Sequence, residues 1–324
     1  MIAVLANWRA VVGVLAIALA VAAPLESAAQ YAGADATFPA GTEADGQPTQ
    51  STIIRSRADP ARAEVGFTYD DNVTRGRAAD EILSDNIYSL FVRMGRTFPI
   101  DANAQAVVAG FLNGEAFQKY NGLSHLSGGL AAELQYRGSA EFDAVTFAAF
   151  ARGWLDQYAS KLRDGGRFAF GVGARQSPTD RVDVYGDLLY SVRRAQSAVW
   201  DLTDYSARLG LDYSLRRGGT LYFMGEFRRG DTVSDGRATL VNVSIAKVFV
   251  LDDAFRGDRL YAYRYDARTW VGTLGYNLSL DTRNSIDFSF RRAQATPTQR
   301  PDFETPASLK YFDNQYSFVY LMRF

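Results

Sequence analysis

The sequence predicts an all-β protein, specifically a transmembrane antiparallel up-and-down β-barrel of about twelve strands, within a range of about ten to fourteen. Two observations predict this fold. Hydrophobic residues make up 47 % of the 324 residues and aromatic residues 13 %, yet the mean hydropathy is only −0.16. From Ala61 to Phe324, stretches with one apolar and one polar face follow one another, and no long segment carries the 3.6-residue stripe of a helix.

The charge balance and the rarest residues exclude several classes of function. Lys and Arg total 35 against 36 Asp and Glu, a net charge of −1, so the composition gives no electrostatic footprint for nucleic acid. The chain has no cysteine, which excludes disulfides, thiolate metal sites and a cysteine nucleophile. A single histidine excludes a multi-histidine metal centre. We therefore expect no metal and no cofactor.

The N-terminal segment predicts export followed by a flexible leader. Residues 10–23 form an apolar run about as long as the hydrophobic part of a signal peptide, after a short n-region that ends in a charge. Ser27 to Ala29 fit the small-x-small cleavage rule, so we expect the mature chain to begin at Gln30, with an uncleaved anchor as the alternative. The predicted domains are a signal peptide at 1–29, a flexible periplasmic leader at 30–60 and an outer-membrane β-barrel at 61–324.

The alternating stretches have the length that crosses a bilayer when tilted, whereas soluble sandwich strands average about five to six residues. In 181–193, for example, Val182, Val184 and Leu188 share one face, and Asp183 and Asp187 lie on the other. The predicted strands are 63–73, 85–97, 104–118, 125–137, 142–156, 166–176, 181–193, 202–215, 220–228, 267–280, 285–292 and 313–324.

The connections between these strands alternate in length. Short turns come at every second position, and mostly longer loops fall between them. Outer-membrane barrels have this asymmetry, with short turns towards the periplasm and longer loops towards the exterior. The short connections are 99–103, 138–141, 177–180, 217–219 and 281–284, and the longer ones are 74–84, 119–124, 157–165, 194–201, 229–266 and 293–312.

The last predicted strand carries an aromatic alternation that ends on the final residue. Tyr316, Phe318, Tyr320, Met322 and Phe324 share one face of this strand. Here the sequence resembles bacterial outer-membrane β-barrel proteins of the porin-like kind, whose final strand has such a signature. The resemblance implies a location in the outer membrane of a Gram-negative bacterium, contact with its lipid and lipopolysaccharide, and recognition of this strand by the barrel-assembly machinery.

A second, shorter resemblance lies at the start of the barrel. The segment Tyr69 to Arg75 reads YDDNVTR and is similar to the first strand of uncharacterised proteobacterial barrels, some of them associated with exopolysaccharide export. This resemblance implies a partner such as an envelope polysaccharide or a small solute, without naming an activity.

The polar strand faces predict what lines the lumen. Arginine rows opposite carboxylates create the transverse field of a solute-selective pore. Alternatively, arginine–carboxylate pairs simply fill a narrow lumen, since barrels become wide channels nearer sixteen strands. The predicted lumen-lining residues are Arg93, Glu133, Arg137, Arg152, Arg167, Arg175, Arg181, Asp183, Asp187, Arg193, Arg208, Asp212, Arg216, Glu226, Arg228, Asp287 and Arg291.

The longest predicted insertion, 229–266, is too rich in apolar and aromatic residues for a disordered loop. It contains an internally alternating piece at 239–250 and a tyrosine-rich piece at 259–268. We expect either an extra hairpin above the barrel or a segment that folds inward and constricts the lumen. A further strand pair in the wall, which would raise the count to fourteen, is the alternative.

His125 and Ser127 form the one candidate catalytic pair. A His-x-Ser spacing places both side chains on one strand face, and locally resembles outer-membrane phospholipase A and lipid A 3-O-deacylase. The alternation, however, directs both residues inward, whereas those enzymes present their dyad to lipid. Ser127 is followed by glycine here, where those enzymes typically carry asparagine.

These observations favour a non-enzymatic function. We expect a narrow channel or an accessory barrel for the movement of a solute or an envelope polysaccharide. The alternatives are an outer-membrane acyl hydrolase that uses His125 and Ser127, and a surface recognition barrel that acts through its long loops.

Overall fold

The structure, a computed structural model, describes residues 61–139, 141, 143–215, 218–255, 257–301 and 309–324. The predicted signal peptide, the leader and Arg216 lie outside these residues. The strands are β1 (Ala61–Asp70), β2 (Asp85–Pro99), β3 (Ala104–Phe117), β4 (His125–Arg137), β5 (Thr146–Tyr158), β6 (Gly165–Thr179), β7 (Val182–Ala195), β8 (Leu202–Ser214), β9 (Gly219–Gly236), β10 (Val248–Leu251), β11 (Tyr261–Ser279), β12 (Asn284–Pro297) and β13 (Tyr311–Arg323), with one short helix, α1 (Leu240–Ile245).

Twelve of these strands close on themselves to form a barrel wall. Each strand from β1 to β9 pairs antiparallel with the next, β9 pairs with β11, and β12 and β13 continue the meander. The wall closes where β1 pairs with β13, from Arg62 opposite Arg323 to Asp70 opposite Gln315. The predicted antiparallel up-and-down barrel of about twelve strands is therefore confirmed.

Four strands begin at the predicted residue: β2, β3, β4 and β8. β4 begins and ends at the predicted residues, while β5 begins at Thr146 rather than at 142. The larger difference concerns β9 and β11, which continue through residues 229–236 and 261–266 that the sequence placed in a loop. Their hydrogen-bonded register is unbroken over this length, so backbone pairing extends a hairpin where the alternation of apolar residues had stopped.

The apolar strand faces form an exposed belt around the wall. Leu130, Leu155 and Leu209 are each more than 60 % exposed, a degree that a soluble sheet would not tolerate on so many strands. On β13, Tyr316 and Phe318 of the predicted outward face are exposed, whereas Val319 and Leu321 of the opposite face are buried. The role of this strand as an assembly signal stays a prediction.

The two ends of the barrel differ in the length of their connections. Connections 100–103, 138–145, 180–181, 215–218 and 280–283 lie at one end, and 71–84, 118–124, 159–164, 196–201, 237–260 and 298–310 lie at the other. The second end is called the mouth below. Among the residues that the structure describes, none belongs to a helix long and apolar enough to cross a bilayer.

The insertion 229–266, called the cap below, combines the free end of the β9–β11 hairpin with α1 and β10. β8 accompanies β9 only as far as Gly230, and β12 accompanies β11 only from Ala267, so the hairpin projects beyond the wall. The alternating piece that suggested a strand is instead α1 followed by β10. Thr239 caps the helix by accepting a hydrogen bond from the backbone nitrogen of Asn242 at 3.2 Å. The cap adds no strand to the wall, so the count of fourteen is wrong.

Candidate functional site

Most of the predicted lumen-lining residues are buried in the barrel interior. The buried ones are Glu133, Arg152, Arg167, Asp187, Arg193, Arg208, Asp212, Glu226, Asp287 and Arg291. The partly exposed ones are Arg93, Arg137, Arg175, Arg181, Asp183 and Arg228. Since strand residues of one parity point to the same face, the burial pattern shows the inner face of the wall to be crowded rather than open.

The interior charges form ion pairs, many of them across or along neighbouring strands. Arg208 Nε lies 2.8 Å from Asp187 Oδ1, and these two residues are direct register partners on β8 and β7. Arg167 Nε lies 2.5 Å from Asp156 Oδ2, and Arg228 lies 3.0 Å from Glu226. Each pair offsets the cost of taking two charges out of water through contact and hydrogen bonding. In this conformation, such pairs cover part of the inner face of the wall.

Aromatic side chains also fill the interior, which the polar inner faces did not predict. Phe91, Phe111 and Trp154 form a buried cluster, and Phe111 lies 6.2 Å from Trp154 in an edge-on arrangement. Their sequence signal is a glycine at the facing position on the next strand. A Cβ atom on Gly129 would lie 2.4 Å from the Cβ of its register partner Trp154.

The same arrangement recurs around the wall. Tyr185 faces Gly210 across β7 and β8, and a Cβ atom on that glycine would lie 2.1 Å from the tyrosine ring. Tyr222 faces Gly275, and its hydroxyl donates a 2.8 Å hydrogen bond to Asp287. An inward glycine therefore marks the place where an aromatic ring lies across the lumen side of the neighbouring strand.

A small polar cavity of about 10 Å³ lies inside the wall below the cap. It is lined by three arginines, Arg75, Arg228 and Arg291, together with Asp313 and Tyr311 among others. Its volume suits about one water molecule. The interior therefore holds water-sized space at this point.

The cap crosses the mouth and packs on the opposite side of the barrel. β3 and β4 are five and six strands away from β11 around the wall, so the turn between them lies nearly opposite. Phe255 and Leu260 of the cap nonetheless form one buried apolar cluster with Phe117 and Leu123 from that side. Gly122 touches the cap so closely that a Cβ atom there would lie 2.5 Å from the Cα of Ala254.

Polar contacts hold the cap to other connections at the mouth. Arg163, in the 159–164 connection, binds both carboxylate oxygens of Asp252, and both side chains are fully buried. The Arg163 guanidinium also lies 4.2 Å from the ring of Trp200. Ser160 donates a hydrogen bond to Asp253 of the cap. Every one of these contacts is non-covalent.

The YDDNVTR segment forms part of the surface that receives the cap. Asp71 accepts a hydrogen bond from Asn314 of β13 at 2.7 Å, which ties the segment to the strand that closes the wall. The carbonyl of Thr74 accepts a 2.7 Å hydrogen bond from the backbone nitrogen of Asp235 in the cap. Glu81, in the same connection, accepts hydrogen bonds from the cap at Arg237 and Asn242. The segment thus links the barrel seam to the cap.

The candidate dyad does not assemble as nucleophile and base. The hydroxyl of Ser127 donates to Asp156 Oδ1 at 2.6 Å, across the β4–β5 pair. His125 places its Nδ1 3.2 Å from the carbonyl of Leu123, and its ring stacks on Tyr158 with 4.5 Å between centroids. Both residues lie on the inner face, as the alternation predicted. Each contacts other residues instead of the second member of the candidate pair.

A closed up-and-down barrel with an apolar outer belt defines the class of outer-membrane β-barrel proteins, and the chain has this fold. Three solved structures illustrate the likeness. The KdgM porin, in complex with disordered oligogalacturonate, is 11 % identical with a TM-score of 0.40, covering 81 % of this chain and 99 % of that one. The NanC porin is 7 % identical with a TM-score of 0.43, covering 81 % and 100 %.

An outer-membrane channel from Pseudomonas putida F1 is 12 % identical with a TM-score of 0.48, covering 81 % of this chain and 96 % of that one. No protein-family model and no curated protein matches the sequence.

Proposed function

We propose that the protein is a narrow, gated outer-membrane channel for small polar solutes, closed in the conformation described. One observation carries the proposal: a wall lined with arginine–carboxylate pairs ends in a mouth that only non-covalent contacts of the cap cover. A barrel that served solely as an anchor would need no separate segment across its mouth. The polar lining supports passage of a hydrated or charged solute over an apolar one.

The test is conduction with and without the cap tip. Gly236 and Tyr261 are register partners on β9 and β11, so a two-residue Asn-Gly turn is able to join them in place of 237–260. In planar bilayers we expect rare conductance steps from the full chain and frequent steps from the shortened variant. Heat-dependent gel mobility of both proteins controls for barrel folding. If neither folded protein gives conductance steps, the proposal is contradicted, and the ion pairs then serve only to fill the lumen.

We further propose the route by which this barrel reaches the membrane. Residues 1–29 act as a cleaved signal peptide, residues 30–60 remain in the periplasm, and the barrel-assembly machinery recognises the face formed by Tyr316, Phe318, Tyr320, Met322 and Phe324. The exposed belt then contacts lipid and lipopolysaccharide. Passage of an envelope polysaccharide segment is the finer form of the channel proposal, supported by the short YDDNVTR resemblance.

A further inference from the structure

Two carboxyl groups and one guanidinium are buried together where the cap meets the wall. Asp235 lies near the end of β9, Asp252 follows β10, and Arg163 comes from the opposite side of the contact. Asp235 is 1 % exposed and Asp252 is fully buried. Arg163 uses two nitrogens on Asp252, whereas Asp235 Oδ1 has no hydrogen-bond donor among the described residues.

Asp235 and Asp252 flank β11 on its two sides: Ala262 of β11 pairs with Asp235 on β9 and with Val250 on β10, two residues before Asp252. The strong electrostatic effect of each carboxyl group on the other agrees with this proximity. Two carboxylates in contact repel each other, and one guanidinium balances only one of them. A single proton between the two oxygens removes the excess charge and supplies the missing donor. With one bound proton, the two carboxyl groups and the Arg163 guanidinium balance in charge when the cap is seated.

The direction of each pKa agrees with this arrangement. Burial, and then the neighbouring Asp252, raise the pKa of Asp235 well above its ordinary value. Burial alone would raise the pKa of Asp252 too, but Arg163 and the hydrogen bond from Asp235 hold it below its ordinary value. Asp235 is therefore the group that carries the proton.

Among the described residues, no other charged group near Asp235 binds it as Arg163 binds Asp252. Arg75 faces it, but lies 2.9 Å from Asp313 and 3.3 Å from Asp70, which share its charge. The remaining titratable groups around the pair come from separate elements: Glu81 from the 71–84 connection, Tyr158 from β5, Arg193 from β7, Tyr263 from β11 and Asp253 from the cap itself.

We propose that Asp235, Asp252 and Arg163 form a proton-controlled latch that holds the cap across the mouth, and that loss of the shared proton releases it. The consequence for conduction, opening as the pH rises, rests on the proposed channel function. The latch itself concerns only the position of the cap.

The sign follows from proton linkage. With the cap released, Asp235 meets water and titrates near the ordinary aspartate pKa of about 3.9. The seated cap thus binds more protons above that pH, and its stability falls as the pH rises towards the raised pKa of Asp235. Over that interval one proton is released per opening, so the open-to-seated ratio increases about tenfold per pH unit. Protonation of Asp252 has the opposite effect: it lowers the stability of the seated cap as the pH falls, and only below about pH 4.

A distance measurement tests the latch independently of conduction. Because the chain has no cysteine, spin labels attach only at introduced sites, here Ser244→Cys in the cap and Lys161→Cys on the opposite connection, both exposed. In the full-length barrel we expect one short, narrow distance distribution at a pH of about 5 and a growing long component towards a pH of about 9. Bilayer currents are recorded on the same proteins.

Asp235→Asn keeps the size of the side chain and a donor to Asp252 without a titrating proton, so we expect the narrow distribution at every pH. Asp252→Asn, which lets Arg163 pair with Asp235, should flatten the response as well. Asp258→Asn, an exposed carboxamide change in the same cap, is the matched control and should respond like the parent. Heat-dependent mobility shows that each variant is folded.

Unchanged pH dependence in folded Asp235→Asn, or none in the parent, would overturn the latch. A cap that moves with pH in a protein that carries no current at any pH would remove the channel function and leave the latch standing. A current that does not change with pH, in a protein whose spin labels stay close at every pH, would remove the latch and leave the channel function standing.

Discussion

The barrel wall and the cap both bury arginine–aspartate pairs, yet the two regions use them differently. In the wall, Asp187 and Arg208 are register partners on adjacent strands, so backbone hydrogen bonds hold the two side chains together whether or not they are charged. At the cap, Asp252 pairs with Arg163 of the 159–164 connection, which is 89 residues away in the chain, and no strand pairing joins their segments. The same chemistry therefore reinforces an existing strand pair in one region and joins segments that are distant in the chain in the other.

The largest expected effect comes from replacing the paired arginine in each region, which tests whether the two pairs have different roles. Arg163→Met leaves Asp252 buried without its partner, a loss of about 3–5 kcal/mol that release of the cap or protonation of the carboxylate relieves. We expect amide exchange at Asp235, whose nitrogen binds the Thr74 carbonyl, to lose its protection. Arg208→Met is the control: it should lower the denaturant midpoint of the barrel while that amide stays protected. Equal exposure in both variants would contradict the distinction.

A smaller effect is expected where the cap touches the wall without charge. Gly122→Ala places a methyl group against the backbone of Ala254, and overpacking of this kind costs about 1–3 kcal/mol. We expect faster proteolysis within the cap and an unchanged barrel midpoint. Gly138→Ala is matched, because a Cβ atom there meets nothing within 4 Å. If proteolysis within the cap is equally slow in the Gly122 variant and in the control, the contact does not hold the cap in place.

The smallest expected effect lies in the wall at the former candidate dyad. Ser127→Ala removes one hydrogen bond to Asp156, worth about 1 kcal/mol, while Arg167 continues to pair with that carboxylate. We expect a slightly lower denaturant midpoint and no change in phospholipid or lipid A deacylation relative to the parent. Parent activity that Ser127→Ala abolishes would instead restore the enzyme hypothesis.

The wall was predictable from the sequence because its signal is local and periodic. Leu130 and Leu134 on one face, with Glu133 on the other, locate β4 without knowledge of any other strand. The charged residues of the inner face follow from the same parity. Trp154 has this parity too, since it lies two residues from Arg152 and from Asp156, but its apolar ring among inward charges does not follow from polarity. The glycine at its register position, Gly129, is the sequence feature that leaves room for the ring.

The cap was less predictable because its order comes from distant contacts. Val233 and Ala262 are buried against Trp200 from another connection. Because this part of the hairpin is covered by another connection, its sequence lacks the apolar–polar alternation of a strand with one exposed face. The six residues of α1 are too few for a helical stripe, and the capping interaction of Thr239 is the one local sign of it. Nothing periodic connects Arg163 with Asp252 or Asp235, so the latch is a tertiary feature.

The pairing of β1 with β13 has a consequence for the order of assembly. The β9–β11 hairpin consists of contacts between segments near each other in the chain, so it is able to form early. The surface that receives it at Thr74 and Glu81 is fixed through Asp71 and Asn314, which meet only when the first and last strands join. A nascent, unclosed sheet therefore lacks the Asp71–Asn314 contact that fixes this part of the docking surface, and we expect the cap to be held fully only after the first and last strands join.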